Sequence, residues 1–280
     1  MKRALFALTL LLVPGAARAG PWARPAGTVY AKASSRLLLG ARYTDGRGET
    51  TPIPGYRELT NALSAELSLG SGVTLLAQWD VARWFRIDGE TSRSLVRPGD
   101  PRAGVRYTAL SFGRGALAFE GWLGVPVASG EVIAPLADED GATIAELRAG
   151  PGQLDLTGRA ELGWAWDAAW TSAAIGWVQR FGGYDGMLDW RAELGGRWWR
   201  LQGVLRLGGR HALDTGGAAS VENPAGQSNG TSFTSTILET TFLASDRWQV
   251  GTSAQFSLAG LGVRSQARGP VFTLFIAFSG

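Results

Sequence analysis

Alternation between apolar and polar side chains constrains this chain more than any other feature, and it is clearest between Leu154 and Trp166. Successive side chains of a β-strand point to opposite sides, so a period of two predicts a strand with one apolar and one polar face. The polar face carries Asp155, Thr157, Arg159 and Glu161. A short turn leads into a second arm that ends at Phe181. The pair predicts a hairpin whose apolar face contacts lipid and whose charged face points inward.

Comparable segments recur along the chain, and together with this hairpin they predict an all-β fold: a single transmembrane antiparallel β-barrel of about twelve strands over residues 20–280. Single-chain bacterial barrels have an even number of strands. The connections alternate between tight turns and longer loops, apart from a short link near 183. This alternation is typical of short periplasmic turns and longer extracellular loops, and it places both termini in the periplasm. The predicted loops include 44–54, 128–151 and 211–230.

The first nineteen residues have the parts of a secretory signal peptide. Lys2 and Arg3 form the basic start, residues 4–13 are apolar, and Ala17-Arg18-Ala19 is a small-x-small cleavage site. We predict cleavage after Ala19, a mature domain over residues 20–280, and a location in the outer membrane of a Gram-negative cell envelope. Residues 20–27 would then form a short periplasmic lead.

Composition excludes several classes of function. The 27 Lys and Arg residues include three in the signal peptide, so the remainder balances the 24 acidic residues and gives no support for nucleic-acid binding. The absence of Cys is compatible with an oxidising compartment. No run of about 18 apolar residues is present, so a transmembrane helix is not predicted.

Aromatic residues cluster where the barrel would meet the membrane–water interface. Tyr43 and Tyr56 are among those predicted at the extracellular rim. Those at the predicted periplasmic turns are Trp164, Trp166, Trp170, Trp198, Trp199 and Trp248. We expect them to contact outer-membrane lipid, with lipopolysaccharide as the other lipid partner.

The last strand presents an apolar face made of Phe272, Leu274, Ile276 and Phe278. This face resembles the C-terminal recognition signal of outer-membrane proteins, which usually ends on an aromatic residue. The resemblance implies that the barrel-assembly machinery binds the chain there. Two residues, Ser279 and Gly280, follow the aromatic position and are a small departure from the pattern.

Catalysis and metal binding have little support. The only His is His211, and a membrane phospholipase would need a nucleophilic Ser beside it. No Ser lies within a few positions, although Ser220 could approach in space. One His without Cys argues against zinc, and the acidic residues of 128–151 lack the spacing of a calcium loop. We predict no enzyme, no cofactor and no metal. The alternative fold is a secreted soluble β-sandwich or small barrel.

The inward faces of the predicted strands carry charges of both signs, and these residues are the candidates that line the lumen and set selectivity. They are Glu66, Asp80, Arg106, Glu120, Arg159, Glu161, Arg191, Glu193 and Arg206. Either the charges pair across strands and stiffen or plug the interior, or they line a water-filled path. With a turn centred between Trp198 and Trp199, Arg191 would face Arg206, and Glu193 would lie diagonal to Arg206. A barrel of this size predicts a narrow or partly plugged lumen.

Three short motifs carry a family resemblance: Gly99–Tyr107, Val125–Gly130 and Gly150–Asp155. They resemble the strand starts and ends of the outer-membrane proteins named for the meta-pathway of phenol degradation. In the second motif Ser129 replaces the family's Thr, and one extra residue follows Pro126. The resemblance implies a channel or transporter for small, often hydrophobic or aromatic compounds, and it assigns no ligand residues.

Two functions remain open on the sequence alone. One is a monomeric outer-membrane channel through which small molecules pass passively. The other is a structural or adhesive barrel with a plugged lumen, whose loops 128–151 and 211–230 bind a partner. The sequence identifies neither the solute nor the partner.

Overall fold

The computed structural model of the protein describes residues 20–45, 47–88, 93–128, 132–137, 143–148, 152–213, 231–258, 262–264 and 266–280. The regular elements in these ranges are β-strands. No helix in the described part of the chain has the length and apolar character needed to cross a bilayer. The predicted signal peptide lies outside the described residues, as does most of the predicted loop 211–230.

Twelve long strands form the wall of a barrel, and four short strands accompany it. The wall strands are β1 (Val29–Thr44), β2 (Thr50–Gly70), β3 (Val73–Ile87), β5 (Arg102–Phe112), β6 (Gly115–Gly124), β9 (Asp155–Ala165), β10 (Ala169–Arg180), β11 (Met187–Trp198), β12 (Leu201–Ala212), β13 (Phe233–Leu243), β14 (Trp248–Ser257) and β16 (Val271–Ser279). The short strand β4 (Arg93–Arg97) pairs with β3, and β15 (Gln266–Arg268) pairs with β1. The strands β7 (Val132–Ala137) and β8 (Thr143–Arg148) pair with each other inside the stretch predicted as the loop 128–151.

The barrel closes because β1 is paired along both of its edges. Ala31 lies opposite Ala65 of β2 on one side and opposite Phe278 of β16 on the other. All these pairings are antiparallel, so the closed wall presents no open sheet edge to lipid. The predicted fold, a single closed barrel of twelve antiparallel strands, is confirmed.

The two faces of this wall correspond to the alternation in the sequence. On β9, Leu162 is 52% exposed on the outside, whereas its neighbour Glu161 is 1% exposed on the inside. Large apolar side chains such as Ile175 and Leu238 are also exposed on the outer face. The wall therefore buries its charges and exposes its apolar side chains, which is the arrangement that a hydrocarbon surrounding favours.

The turn between β11 and β12 corrects a predicted strand register. Trp198 pairs with Leu201, so the turn consists of Trp199 and Arg200 rather than lying between Trp198 and Trp199. Trp199 adopts a left-handed backbone with φ of 53°, as two-residue hairpin turns require. This register places Glu193 opposite Arg206, and Arg191 opposite Gly208. The expected facing pair of Arg191 and Arg206 is therefore wrong.

The connection between β1 and β2 is also shorter than predicted. Residues 44–54 were expected to form a loop because of their prolines and glycines, but Thr44 pairs with Thr50 and β2 continues from there. The Asp45 carboxylate accepts hydrogen bonds from the backbone N–H groups of Arg47 and Glu49, at 2.9 and 2.8 Å. This local capping closes the turn within a few residues.

Candidate functional site

The interior of the barrel holds two neighbouring cavities, and the nine residues predicted to line the lumen surround them. A central cavity of about 370 Å³ contacts eight of the nine, and Asp80 lines a smaller cavity of about 250 Å³. The smaller one lies towards the long loops and is called here the extracellular cavity. The inward direction of these side chains follows from the alternation, whereas their role in selectivity stays a prediction.

One continuous series of ion pairs runs around the inner wall from β2 to β12. Arg106 is its first branching point, since Nη2 binds Glu66 at 2.5 Å and Nη1 lies 3.6 Å from Glu120. The remaining contacts are Glu120–Arg159 at 3.1 Å, Arg159–Asp189 at 2.7 Å and Asp189–Arg210 at 3.0 Å. Each buried charge thus has an opposite charge beside it, which offsets the cost of removing it from water.

A second group of ion pairs is organised by the register of β11, β12 and β13. Arg206 lies opposite Glu193, and its Nε binds that carboxylate at 2.5 Å. The Nη1 of Arg206 binds Glu239 at 3.0 Å, and Lys32 lies 3.9 Å from Glu239. These residues therefore pair across strands, as one of the two interpretations of the interior charges predicted. Two cavities remain between the paired groups.

Three side chains form the boundary between the two cavities, because they line both: Gln78, Arg102 and Arg210. Arg102 is fixed there by Nη2, which donates to Asp155 at 2.9 Å and to Thr157 at 2.7 Å. The predicted set of lumen residues did not include Arg102 or Arg210, although the alternation places both on the polar faces of their strands. They therefore lie where the two cavities meet.

The periplasmic end of the interior is occupied by the chain's own N-terminal segment, defined here as residues 20–25. The carbonyl oxygen of Gly20 accepts a hydrogen bond from Arg106 at 3.2 Å, and that of Pro21 accepts one from Thr108 at 2.8 Å. Further along, the carbonyl of Arg24 accepts from Ser68 at 2.8 Å. The expectation that residues 20–27 form a lead in the periplasm is therefore wrong for this segment.

A glycine of the wall makes room for the N-terminal segment, and the segment's own Trp22 packs against the wall. A Cβ on Gly163 would lie 2.7 Å from Pro21 and 2.8 Å from the Trp22 ring, so that glycine permits the close approach. Trp22 packs against a buried cluster of Ala165, Trp170 and Val204. No pattern in the sequence indicates this contact, because the segment lies before the first strand and has no alternation of its own.

One of the six predicted interface tryptophans faces the interior instead. Trp170 is 5% exposed, and its Nε1 donates to Glu193 at 2.7 Å. The prediction for Trp170 is wrong because it lies on the inward face of β10. The others, which are exposed near the tight turns, are Trp164, Trp166, Trp198, Trp199 and Trp248. Their contact with the membrane interface stays a prediction.

The extracellular part of the interior contains a buried network that sequence reasoning missed. Glu58 accepts hydrogen bonds from Tyr56, Thr60 and Arg83, at 2.8, 2.9 and 2.8 Å. Tyr43 packs in the adjoining apolar cluster with Tyr56, so their predicted position in the outer aromatic rim is wrong.

A bulge in the β2–β3 pairing leaves Val81 without a partner on β2. Beyond this bulge, the residues of β3 that point inward are the odd-numbered ones instead of the even-numbered ones. Arg83 therefore points inward, whereas a strict alternation along β3 would have placed it on the outer face.

Comparisons with known proteins support the same architecture. No protein-family model matches this sequence, and no curated protein matches it. The barrel is similar to the COG4313 outer membrane channel from Pseudomonas putida F1, with a TM-score of 0.66 and 12% identity, covering 94% of this chain and 99% of that one. The chain has the fold of an outer-membrane β-barrel.

A second solved structure with this likeness is the NanC porin, with a TM-score of 0.52 and 8% identity, covering 90% of this chain and 98% of that one. At such identities the likeness concerns the fold. The coverage is nearly complete in both directions, so the whole described barrel takes part in it.

His211 was the one candidate for catalysis, and its described contact is with a threonine. The ring Nε2 of His211 lies 3.4 Å from the hydroxyl of Thr234. Ser220 lies outside the described residues. Within the described ranges, no group of three or more His, Cys, Asp or Glu side chains has the arrangement of a metal site.

Proposed function

We propose that this protein is a monomeric outer-membrane channel through which small molecules pass passively. The observation that carries the proposal is the pair of adjoining polar cavities, which share Gln78, Arg102 and Arg210 and extend along the barrel interior. A barrel with a purely structural role would be expected to fill this space with interlocking side chains, as small barrels do.

A solute enters among the long loops, occupies the extracellular cavity and then passes Arg102 into the central cavity. The selectivity candidates there are the guanidinium groups of Arg106, Arg159, Arg191 and Arg206, balanced by Glu120, Glu161 and Glu193. Because oppositely charged groups alternate along the wall, a permeating molecule can exchange hydrogen bonds with successive partners without leaving a buried charge unpaired.

The resemblance to the family named for the meta-pathway of phenol degradation narrows the proposed solutes to small hydrophobic or aromatic compounds. Gly99 and Asp100, in the first of its motifs, lie just before β5, and Asp100 lines the extracellular cavity. The Asp100 carboxylate accepts hydrogen bonds from the backbone N–H groups of Val127 and Ala128, at 2.8 and 2.7 Å. The first two motifs therefore meet at the mouth of the proposed path.

The test is ion conductance and solute uptake by the protein reconstituted into lipid bilayers and liposomes. Because the N-terminal segment occupies the periplasmic end, the experiment compares the intact chain with a variant that lacks residues 20–25. We expect both to conduct above protein-free bilayers, and the shortened variant to conduct severalfold more. No conductance and no uptake by either protein would overturn the channel proposal.

The alternative, a structural or adhesive barrel, is favoured by one specific observation: the N-terminal segment occupies the periplasmic end and is held by three described hydrogen bonds. In that case the loops 128–151 and 211–230 would carry the function by binding a partner. Deleting those loops separates the two functions, since a channel would still conduct while an adhesin would lose its partner.

The proposal also includes the partners that the outer surface requires. Outer-membrane lipid and lipopolysaccharide would cover the exposed apolar face, and the signal peptide would direct export before its removal after Ala19. The face of β16 formed by Phe272, Leu274 and Ile276 is exposed on the outside. We propose that this face, with Phe278, is bound by the barrel-assembly machinery during insertion.

A further inference from the structure

Glu161 carries a carboxylate oxygen that no described group binds. The residue is 1% exposed on the inner face of β9. Its Oε2 accepts a hydrogen bond from Arg191 at 2.7 Å, whereas its Oε1 is buried and has no hydrogen-bond partner among the described residues. A buried charged oxygen without a donor is costly, so a second donor is expected beside Oε1.

The first residue of the N-terminal segment lies against this oxygen. A Cβ built on Gly20 would be 3.6 Å from Glu161 Oε1, and both residues line the central cavity. The carbonyl oxygen of Gly20 is held by Arg106 at 3.2 Å. No ligand from outside the protein has to reach the buried oxygen, because a part of the chain is already beside it.

Removal of the signal peptide would change the chemistry of Gly20. In the precursor, its nitrogen belongs to a peptide bond and is neutral. Cleavage after Ala19 turns it into a primary amine, which carries a positive charge in most molecules at pH 7 and has three N–H donors. A charged donor of this kind is the partner that an unpaired carboxylate oxygen binds most strongly.

Rotation about a single bond brings the new amine to Glu161. The nitrogen and the added Cβ are both attached to the Cα of Gly20, so turning the Cα–C bond by about 120° places the nitrogen at the Cβ position. It then lies about 3.6 Å from Oε1, and the carbonyl oxygen keeps its contact with Arg106. The Trp22 ring, 2.7 Å from the same position, has to move aside by a few tenths of an ångström.

A carboxylate shared between two cations has a counterpart in the same interior. Asp189 binds Arg159 through Oδ1 at 2.7 Å and Arg210 through Oδ2 at 3.0 Å. Glu161 binds Arg191 through Oε2 and has Oε1 left for a second cation. An N-terminal ammonium at Oε1 would complete the same arrangement.

We propose that Glu161 is the binding site for the N-terminal ammonium group of the mature chain. Processing after Ala19 thereby creates the ion pair that fixes the N-terminal segment inside the barrel. This site rests on the signal-peptide cleavage that belongs to the proposed function. The ion pair adds to the hydrogen bonds that Arg106 and Thr108 donate to the segment, so the cleaved segment is held more tightly than the uncleaved one.

The experiment is acylation of the purified, folded mature protein in detergent micelles at pH 7, with the modified sites quantified by mass spectrometry. The mature chain offers two amines, because Lys2 leaves with the signal peptide and Lys32 is the other lysine. Only a neutral amine reacts, so an ion pair slows the reaction. We expect the Gly20 amine to react at least about tenfold faster in Glu161→Gln than in the parent, with the Lys32 rate unchanged.

The matched control is Glu239→Gln, which removes an interior carboxylate 3.9 Å from Lys32. This substitution should leave the rate of the Gly20 amine unchanged. Equal Gly20 rates in the parent and in Glu161→Gln overturn the pairing. An intact mass showing that the parent begins at a residue other than Gly20 overturns the cleavage site and the pairing together.

A second measurement separates the charge of the amine from a general loosening of the segment. The hexapeptide amide Gly-Pro-Trp-Ala-Arg-Pro is titrated calorimetrically into the variant that lacks residues 20–25, with a free or an acetylated amine. We expect acetylation to weaken binding at least about tenfold, and Glu161→Gln in the shortened variant to abolish this difference. Equal binding of the two peptides by the shortened variant, or binding of neither, overturns the site.

Neither measurement depends on conductance, so the site and the channel can fail separately. Conductance without a difference between the two peptides would overturn the site and leave the channel proposal standing. A clear difference without conductance or uptake, in the intact and the shortened chain alike, would support the site and overturn the channel.

Discussion

Arg106 joins the N-terminal segment to the ion pairs of the barrel wall, since its Nη1 donates to the carbonyl oxygen of Gly20 at 3.2 Å while its Nη2 binds Glu66 at 2.5 Å. One guanidinium group therefore binds both the N-terminal segment and the barrel wall. We therefore expect substitutions among the residues that contact the segment to change the occupancy of the periplasmic end.

Replacing Gly163 with Val is predicted to displace the N-terminal segment, because the new side chain would overlap with Pro21 and Trp22. Overpacking of this kind costs about 1–3 kcal/mol, which corresponds to a shift of roughly 5- to 150-fold towards the displaced state. The chain has no native Cys, so Pro21→Cys provides a single labelling site, and it keeps the Trp22 ring that the new side chain would overlap. The measurement is its rate of reaction with a membrane-impermeant maleimide, with and without the second substitution.

The matched control for this prediction is Gly158→Val on the same strand. Nothing lies within 4 Å of the position that its Cβ would take, and it is on the outer face. Labelling of Pro21→Cys should stay slow in that background. Equal labelling rates with Gly163→Val and Gly158→Val would show that Gly163 does not hold the segment in place.

Substitution of Arg159 by Gln is predicted to make the channel more selective for cations. Arg159 contacts Glu120 at 3.1 Å and Asp189 at 2.7 Å, so its removal leaves two interior carboxylates with less compensation. We expect the ratio of cation to anion permeability, measured from the reversal potential in a salt gradient, to rise about threefold or more. Arg114→Gln, at an exposed periplasmic turn, is the control and should leave the ratio unchanged.

Replacing Glu58 with Gln is predicted to destabilise the barrel. The carboxylate is almost fully buried and compensates the equally buried Arg83, with further hydrogen bonds from Tyr56 and Thr60. Removing one member of a buried ion pair costs about 3–5 kcal/mol. Unfolding in urea, followed by the gel mobility of the folded and unfolded forms, gives the change in free energy.

The control for this substitution is Glu49→Gln, at the exposed turn between β1 and β2. Its unfolding free energy should stay within about 0.5 kcal/mol of the parent. If Glu58→Gln were as stable as Glu49→Gln, the buried network would not contribute to stability as described.

The last aromatic residue offers a test of assembly in the cell. Phe278 packs edge-on against Trp248, with ring centroids 5.2 Å apart, on the final strand. We predict that Phe278→Ser lowers the fraction of folded protein recovered from outer membranes severalfold. Phe256→Ser, at an exposed outer position of β14, is the matched control. Similar recoveries of the two variants would argue against a recognition role for the C-terminal position.

The residues that the sequence placed inside the barrel show how far alternation reaches. Arg159 and Glu161 were assigned to the interior from their positions in a strand alone, and both line the central cavity. Arg83 was missed because the bulge at Val81 changes the phase of β3. Gly20 precedes the first strand, so no alternation applied to it. Periodicity predicts a face only while a strand remains regular.

The sequence by itself determined the wall of this protein, since a period of two decides which side chains meet lipid and which face inward wherever a strand is unbroken. The tertiary structure decided what fills the interior. The register of β11 and β12 pairs Glu193 with Arg206, and the N-terminal segment reaches Arg106 from 86 positions away. Such contacts depend on turn geometry and on barrel closure, and these relations between distant segments leave no local pattern in the chain.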